Sequence, residues 1–335
     1  MIPDDVQSDH SELIQSNCDY DYKQLVGDSI SNRLSATAEK LIKNSWRAGS
    51  KKTYATYIKK WESYAQQNII DFLQPSEQDV ANFLALLFEQ QLSYSAVKTA
   101  RAAVASVIIC DYSDSRILKH LMKGVFEERP VLRRDVIWDV KPVLNYFTHL
   151  FPAKSLSLKL LTVKTAVLLA LVMNQRQQGL ELVDLRNMTL EDHKITIRYG
   201  DVMKNTGPQF HQPEISIKAY IDKRICPVWY IWKYLAATNK VRNSTKLFII
   251  TQKPYRAASK STIGKWIKKG LALGGVDMSI FTPHSTRSAA GSARRRTNVP
   301  LDTILATAGW ASAKTFAKYY NKEIKRREAS VQQLL

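Results

Sequence analysis

Apolar residues recur at helical spacing in four successive segments between residues 35 and 127. They are Tyr54, Tyr57, Ile58, Trp61, Tyr64 and Ala65; then Val80, Phe83, Leu84 and Leu87; then Val97, Val104 and Ile108; and lastly Ile117, Leu118, Leu121, Met122 and Val125. Ser76 can cap the second segment, because Asp79 can reach back to it. We expect the third helix to run to about Ile109. Four short helices of this kind predict a small bundle.

The segments on either side of this bundle lack the helical pattern. Residues 1–34 are polar and acidic and predict a disordered arm. Residues 128–142 contain Pro130, Pro142, Arg133 and Arg134. We therefore expect a basic linker between two domains.

The second domain, residues 143–335, is predicted to be largely helical. Residues 156–173 form its most apolar helix, and helices resume near residues 228 and 261. Two alternating stretches, 194–199 and 214–218, predict strands joined by a loop. The expected fold class is therefore mostly α with a small β-hairpin or sheet.

The net charge indicates more about the binding partner than the amino-acid composition does. The formal net charge is +19, while the first 34 residues hold seven acidic and two basic residues, so the remainder carries +24. Such an excess favours a polyanionic partner, because each neutralised phosphate releases counterions. We expect the partner to be double-stranded DNA. No membrane partner is expected, since the longest uncharged apolar stretch, 165–175, is too short to span a bilayer.

Three cysteines, Cys18, Cys110 and Cys226, are scattered and odd in number. They indicate a reducing, intracellular compartment without disulfides or zinc. The sequence has no acidic cluster with metal-ligand spacing and no glycine-rich phosphate loop. We expect no metal, no ATP and no other small-molecule cofactor.

The chemically most informative segment runs from Phe281 to Ile324. Thr282 can cap a helix that begins at Pro283. His284 and Arg287 share one face of that helix and can form a phosphate clamp near its N-terminus.

Two further helices are expected in the same segment. Gly309 can end the first of them, and Trp310 follows directly. The second is expected to open near Ser312 and to continue through Ile324, because Phe316, Tyr320 and Ile324 are spaced i, i+4, i+8.

The ordered set of His284-x-x-Arg287, Gly309-Trp310 and a tyrosine nine or ten residues later resembles the catalytic box of the tyrosine recombinases, or integrases. Residues 315–322, Thr-Phe-Ala-Lys-Tyr-Tyr-Asn-Lys, are most similar to recombinases of DIRS-like retrotransposons. The resemblance extends from about Ser35 to the end. It implies a helical core-binding (SAM-like) bundle followed by an α+β catalytic domain, a homotetramer on DNA and, in a eukaryote, a nuclear location.

The resemblance also implies roles for individual residues. Its catalytic set is Arg176, Lys204, His284, Arg287, Trp310 and a tyrosine. Lys204 would protonate the leaving oxygen, and Trp310 stands where many relatives have a second histidine.

The sequence departs from the family at Gly179, where many recombinases carry an acidic residue three places after the first arginine. From the residues alone, Arg176 has either Glu181 or Asp184 or a DNA phosphate as its partner.

The identity of the nucleophile is ambiguous in the sequence. The commonest spacing in the family, nine residues after Trp310, leads to Tyr319. The resemblance of residues 315–322 to DIRS-like sequences leads to Tyr320. We favour Tyr320 as the nucleophile, with Tyr319 as second choice.

Eight further basic residues are candidates for DNA binding: Lys51, Lys52, Lys98, Arg101, Arg133, Arg134, Arg294 and Arg295. A solvated helix face is the alternative interpretation of the first four.

The leading hypothesis is a site-specific DNA recombinase that forms a covalent 3′-phosphotyrosine intermediate without metal or ATP. A related topoisomerase would use the same chemistry without a specific site. The alternative from another class is a catalytically decayed, domesticated DNA-binding protein of mobile-element origin.

Overall fold

The computed structural model describes residues 35–45, 47–130, 135–201, 206, 214–310 and 312–324. The chain divides into two compact units, residues 1–133 and 134–335. The predicted disordered arm, residues 1–34, lies outside the described residues. So do Arg133, Arg134 and Lys204.

The described part of the first unit consists of five helices. They are α1 (Ala36–Ser45), α2 (Ala48–Gln67), α3 (Glu77–Glu89), α4 (Tyr94–Ala105) and α5 (Arg116–Glu128). Ser76 and Asp79 form the predicted capping box at the start of α3. Ser93 and Ser115 cap α4 and α5 in the same manner, by accepting a backbone N–H three residues on. These side chains satisfy donors that a helix start leaves open.

The core of this unit is built around Trp61, which is fully buried. Its ring contacts those of Tyr64, Phe72 and Phe83, and its Nε1 donates to Phe72 O at 3.1 Å. The indole thus buries a large apolar area without leaving its N–H unpaired.

Helix α4 is shorter than the sequence pattern predicts. It ends at Ala105, and Ser106 Oγ donates to Ala103 O. Ile109, the predicted last residue, is 68% exposed, and its N–H donates to Leu73 O at 2.9 Å. The chain leaves the helix because this contact to the loop before α3 replaces the next helical hydrogen bond.

The second unit begins inside the segment that was predicted to be a linker. Strand β1 (Val136–Ile137) and helix α6 (Val140–His149) both start before residue 143. Asp139 caps α6 by accepting the N–H of Lys141. The prolines that suggested a linker are compatible with this start, since Pro142 lies in the first turn of α6 and needs no hydrogen-bond donor there.

The remaining elements of the second unit are mainly helical. They are α7 (Leu158–Met173), α8 (Gln177–Leu182), β2 (Met188–Leu190), β3 (Lys194–Ile197), β4 (Ile215–Lys218), α9 (Pro227–Thr238), α10 (Lys260–Leu273), α11 (Thr286–Arg296), α12 (Leu301–Ala308), α13 (Ala313–Tyr319) and β5 (Glu323–Ile324). Short 3₁₀ turns cover Ala153–Ser155, Leu185–Asn187 and Pro283–Ser285.

The sheet contains one strand more than the predicted hairpin. Strands β3 and β4 pair antiparallel, with Ile195 opposite Ile217, and β2 adds to the other edge of β3. Residues Ile195, Ile197, Ile215 and Ile217 are buried. The three residues of β2 are too few to give an alternating signal in the sequence.

Helix α7 is the centre of the second unit, as its apolar sequence predicts. It packs against α9, α10 and α11, and nearly all of its residues are buried. Burial includes Lys164, whose Nζ donates to Phe147 O, Leu150 O and Tyr230 Oη at 2.6, 2.8 and 2.5 Å. Burial also lowers the pKa of Lys164 to about 7, although Asp222 opposes this shift.

The C-terminal helix is shorter than expected. Helix α13 ends at Tyr319, and β5 pairs in parallel with β1 through Glu323 opposite Val136. The predicted helical stripe from Phe316 through Ile324 is therefore wrong beyond Tyr320. The pairing with β1 is long-range, so local spacing could not reveal it. Within the described residues, no helix has the length and apolar character of a membrane span.

The buried lysine predicts a pH dependence of stability. Between pH of about 7 and about 10, Lys164 in the unfolded chain still binds a proton that the folded chain has released. The free energy of unfolding of the wild type should therefore rise with pH in this window, relative to Lys164→Met. Urea unfolding of both proteins across the window checks this, and parallel pH profiles would contradict it.

Candidate active site

The guanidinium of Arg287 is the buried centre of the site. Arg287 lies in the first turn of α11 and is 0% exposed. Its Nη2 donates to Ala308 O at 3.2 Å, whereas Nε and Nη1 have no hydrogen-bond partner in the described structure. Burial lowers the pKa of Arg287 to about 10; Tyr320 opposes this shift and Arg176 adds to it. A buried cation with two open donors is suited to bind an anion.

Two aromatic rings cover this cation. The Arg287 Cζ atom lies 4.9 Å from the ring centroid of Trp310 and 5.3 Å from that of Tyr320. The two rings lie 4.4 Å apart. Because ring faces attract cations, this arrangement offsets part of the cost of burying the charge without neutralising it.

A helix end and a glycine make room for these rings. Gly309 adopts the left-handed conformation that ends α12, with φ of 62°, as predicted. On α11, a Cβ atom at Gly291 would lie 3.1 Å from Trp310 Cη2 and 3.2 Å from Phe316 Cε2. Gly291 follows Arg287 by one turn, so the same helix face carries the cation and the space for the ring.

Ser292 fixes the backbone of the candidate nucleophile. Its Oγ donates to Tyr320 O at 2.8 Å and accepts from Lys322 N at 2.9 Å. The Tyr320 side chain is half-buried beside Trp310, whereas that of Tyr319 is 45% exposed. Of the two candidate tyrosines, Tyr320 thus lies beside Arg287.

Arg176 approaches the site from the end of α7. Asn174 ends that helix in the left-handed conformation, and Gln175 Nε2 donates to Thr307 O at 2.7 Å. Arg176 then occupies the N-cap position of α8 without a capping hydrogen bond from its side chain, and it is half-buried. Its positive charge adds to the lowering of the Arg287 pKa.

The carboxylates that were considered as partners of Arg176 are engaged elsewhere. Glu181 accepts the N–H of Lys260 at 2.8 Å. Asp184 accepts from Arg186 and Thr245, and the hydrogen bonds from Arg186 hold its pKa far below the usual range.

The departure at Gly179 has a steric reason. A Cβ atom there would lie 2.9 Å from Gln175 Cβ and 3.3 Å from the hydroxyl of Tyr199. An acidic side chain at this position would therefore displace the residue that precedes Arg176.

His284 lies in the 3₁₀ turn before α11 and is exposed. The turn is fastened by Trp138 Nε1, which donates to Ser285 Oγ at 2.8 Å. Thr282 does not cap the turn with its side chain. The predicted cap is therefore wrong, and Ser285 Oγ instead donates to Thr282 O at 2.6 Å.

The predicted DNA-binding residues differ in their surroundings. Lys52, Lys98 and Arg295 are exposed, while Lys51 and Arg101 are half-buried. Arg294 donates to the carbonyl oxygens of Leu171 and Val172 at the end of α7. This contact gives Arg294 a structural role in joining α11 to α7. No described contact tests DNA binding by any of these residues.

Sequence reasoning missed Asn174, Gln175 and Ser292. Asparagine directly after an apolar helix is a signal for a left-handed helix end, and it could have located Asn174. Ser292 lies within a run of small residues whose pattern carries no such signal.

Comparisons with known proteins bear on the fold of the chain. Residues 38–108 match the family model described as phage integrase, N-terminal SAM-like domain. A comparison with curated protein sequences finds no match. Similar solved structures include XerH site-specific recombinase bound to difH substrate, with 16% identity, TM-score 0.57 and coverage of 91% of this chain and 89% of that chain.

Two integrases have a similar fold. A lambda integrase dimer bound to a COC′ core site is 14% identical, with TM-score 0.53 and coverage of 96% of this chain and 98% of that chain. The Tn1549 transposon integrase in complex with transposon right end DNA is 11% identical, with TM-score 0.57 and coverage of 95% and 96%. The chain therefore combines a SAM-like N-terminal domain with a tyrosine recombinase-like fold, and the predicted fold class is confirmed.

Crowding at Gly291 predicts an unusual response to alanine. Alanine normally stabilises a helix relative to glycine by about 1 kcal/mol. Gly291→Ala should instead destabilise by about 1 kcal/mol, because the buried rings of Trp310 and Phe316 can make room for the Cβ atom only by losing part of their own packing. Thermal unfolding measures the change, and tryptophan fluorescence should report the displaced ring.

Gly124 provides the matched control. It lies in α5, and a Cβ atom there would meet nothing within 4 Å. Gly124→Ala should stabilise by about 0.5–1 kcal/mol. Equal stabilisation by both substitutions would mean that Gly291 is not crowded.

Proposed function

We propose that this protein is a site-specific DNA recombinase or integrase that cuts and rejoins DNA through a tyrosine. One observation carries the proposal: Arg287 is fully buried with two open N–H donors, under the rings of Trp310 and Tyr320. The ordered sequence motif and the excess positive charge support the same function. The charge also makes duplex DNA the proposed partner.

Tyr320 is the proposed nucleophile. Its phenolate oxygen would attack the phosphorus of the scissile phosphodiester, forming a 3′-phosphotyrosine bond while the bond to the 5′-oxygen breaks. A tyrosine has an ordinary pKa of about 10 and needs nearby positive charge to ionise at neutral pH. Arg287 and Arg176 supply that charge. The reverse attack by a 5′-hydroxyl would rejoin a strand and release the tyrosine, so bond energy is conserved without metal or ATP.

The other residues of the set have proposed supporting roles. Arg287 and Arg176 stabilise the negative charge that develops on the pentavalent phosphorus. His284 acts as a base or a hydrogen-bond donor, and Trp310 offers its indole N–H to a non-bridging oxygen. Lys204 is the proposed acid for the departing 5′-oxygen. Assembly as a homotetramer on DNA is part of the same proposal; the lambda integrase has been crystallised as a tetramer bound to a Holliday junction.

Substitution of the two tyrosines tests the mechanism. Tyr320→Phe keeps the ring on Trp310 and should abolish the covalent adduct with a nicked suicide substrate, while DNA binding stays near normal. Tyr319→Phe, the matched control, should lose at most a hydrogen bond of about 0.5–1.5 kcal/mol and retain activity. The covalent adduct is detected as DNA of reduced gel mobility that returns to its normal mobility after protease treatment.

The outcomes separate the candidate functions. Loss of the adduct in Tyr319→Phe but not in Tyr320→Phe would assign the nucleophile to Tyr319 and keep the mechanism. Adduct formation by the double variant would refute the tyrosine mechanism. Sequence-selective binding by the wild type with no adduct at all would favour the decayed DNA-binding protein. Relaxation of supercoiled DNA without a preferred site would favour a topoisomerase.

DNA affinity should depend steeply on salt. If the protein neutralises several phosphates, the logarithm of the association constant falls by about 0.9 per phosphate for each tenfold rise in salt. Lys52→Gln and Lys98→Gln should each reduce this slope by about one, because both side chains are exposed. Fluorescence anisotropy with a labelled duplex measures the slopes. A flat response would overturn the charge argument.

A further inference from the structure

Asn174 is a buried polar residue at a helix end that glycine could form equally well. It ends α7 with φ of 52° and is 0% exposed. Both its Oδ1 and its Nδ2 are without a hydrogen-bond partner among the described residues. Each buried unpaired polar atom costs about 1–3 kcal/mol. Glycine would adopt the same backbone conformation without that cost.

The neighbours of Asn174 belong to the proposed active site. Its Nδ2 would lie 3.5 Å from a Cβ atom at Gly291, and the same point is 3.1 Å from Trp310 Cη2. The carboxamide and the edge of the indole therefore both border the space beside Gly291, on the helix face that carries Arg287 one turn earlier. The centroid of the Trp310 ring in turn lies 4.9 Å from the Cζ atom of Arg287.

The backbone around Asn174 is held firmly. Arg294 donates to the carbonyl oxygens of Leu171 and Val172 just before it, and Gln175 donates to Thr307 O just after it. These contacts fix the course of the main chain on both sides of Asn174. The Cα atom of Asn174, and with it the base of the carboxamide, is therefore held beside the site.

We propose that Asn174 is a positioning residue for the proposed strand-cleavage reaction. Its carboxamide, wedged beside Gly291, holds the indole of Trp310 on the guanidinium of Arg287. The two open N–H donors of Arg287 thereby stay directed at an incoming phosphate. The inference rests on the proposed function, because it gives Asn174 a part in that reaction.

Asn174→Gly is the direct test, since it keeps the backbone conformation and removes only the carboxamide. We expect a thermal midpoint equal to or above that of the wild type and DNA affinity within about threefold. The single-turnover rate of adduct formation at saturating protein should fall at least tenfold. A purely structural role would instead lower the thermal midpoint and leave this rate unchanged.

Asn298→Gly is the matched control. Asn298 is a second left-handed asparagine after a helix among the described residues, with φ of 59°, and it is exposed. The control should cleave at the wild-type rate. If Asn174→Gly is unstable, Asn174→Asp preserves shape and backbone. It should fold and also lose at least tenfold in rate, because a carboxylate lacks the N–H donors of the carboxamide. Wild-type rates in both Asn174 variants would overturn the proposal.

A second readout does not depend on cleavage. In protein labelled with ¹⁵N-tryptophan, the Trp310 indole resonance, assigned with Trp310→Phe, should shift in Asn174→Gly and stay unchanged in Asn298→Gly. An unchanged resonance in Asn174→Gly would refute the positioning role. The wild type could also form no adduct while the resonance still shifts in Asn174→Gly. That result would support the positioning of Trp310 by Asn174 and would count against the recombinase function alone.

Discussion

The second unit depends on one costly arrangement, a guanidinium buried without a carboxylate. Among the described residues, Arg287 donates to a neutral acceptor, Ala308 O, and lies against the faces of two rings. A paired carboxylate would have made burial cheaper but would also have cancelled the charge. Rings and a carbonyl lower the cost while leaving the positive charge available. The glycines at 291 and 309 follow from this choice, because each provides the space or the turn that brings Trp310 to the cation.

Rigidity at this site comes from the end of α7. Arg294, on α11, donates to main-chain oxygens at that end, and Gln175, just after it, donates to Thr307 O in α12. Three helices are thus joined within a few residues of Arg176. Ser292 extends the same arrangement to the segment after α13, where it holds the backbone of Tyr320. The elements that position the proposed cations therefore also position the proposed nucleophile.

Local signals in the sequence predicted much of this structure. The Ser76 capping box, the Gly309 helix end and the apolar helix α7 each depend on residues close in the chain, and all are present. The failures share a physical cause. The pairing of β5 with β1 and the contact of Ile109 with Leu73 join distant segments, which spacing cannot encode. Buried Lys164 donates to three acceptors outside α7. The apolar pattern of this helix could not predict that pairing.

Most of the side chains that build the site are anchored to main-chain oxygens. Arg287, Gln175, Arg294 and Ser292 donate to carbonyls of residues 308, 307, 171–172 and 320. Every amino acid supplies such an oxygen, so the residues that accept these bonds are free to change during evolution as long as the helices keep their course. A site assembled in this way can retain its geometry while the sequence drifts, which gives a physical basis for a shared fold at 11–16% identity.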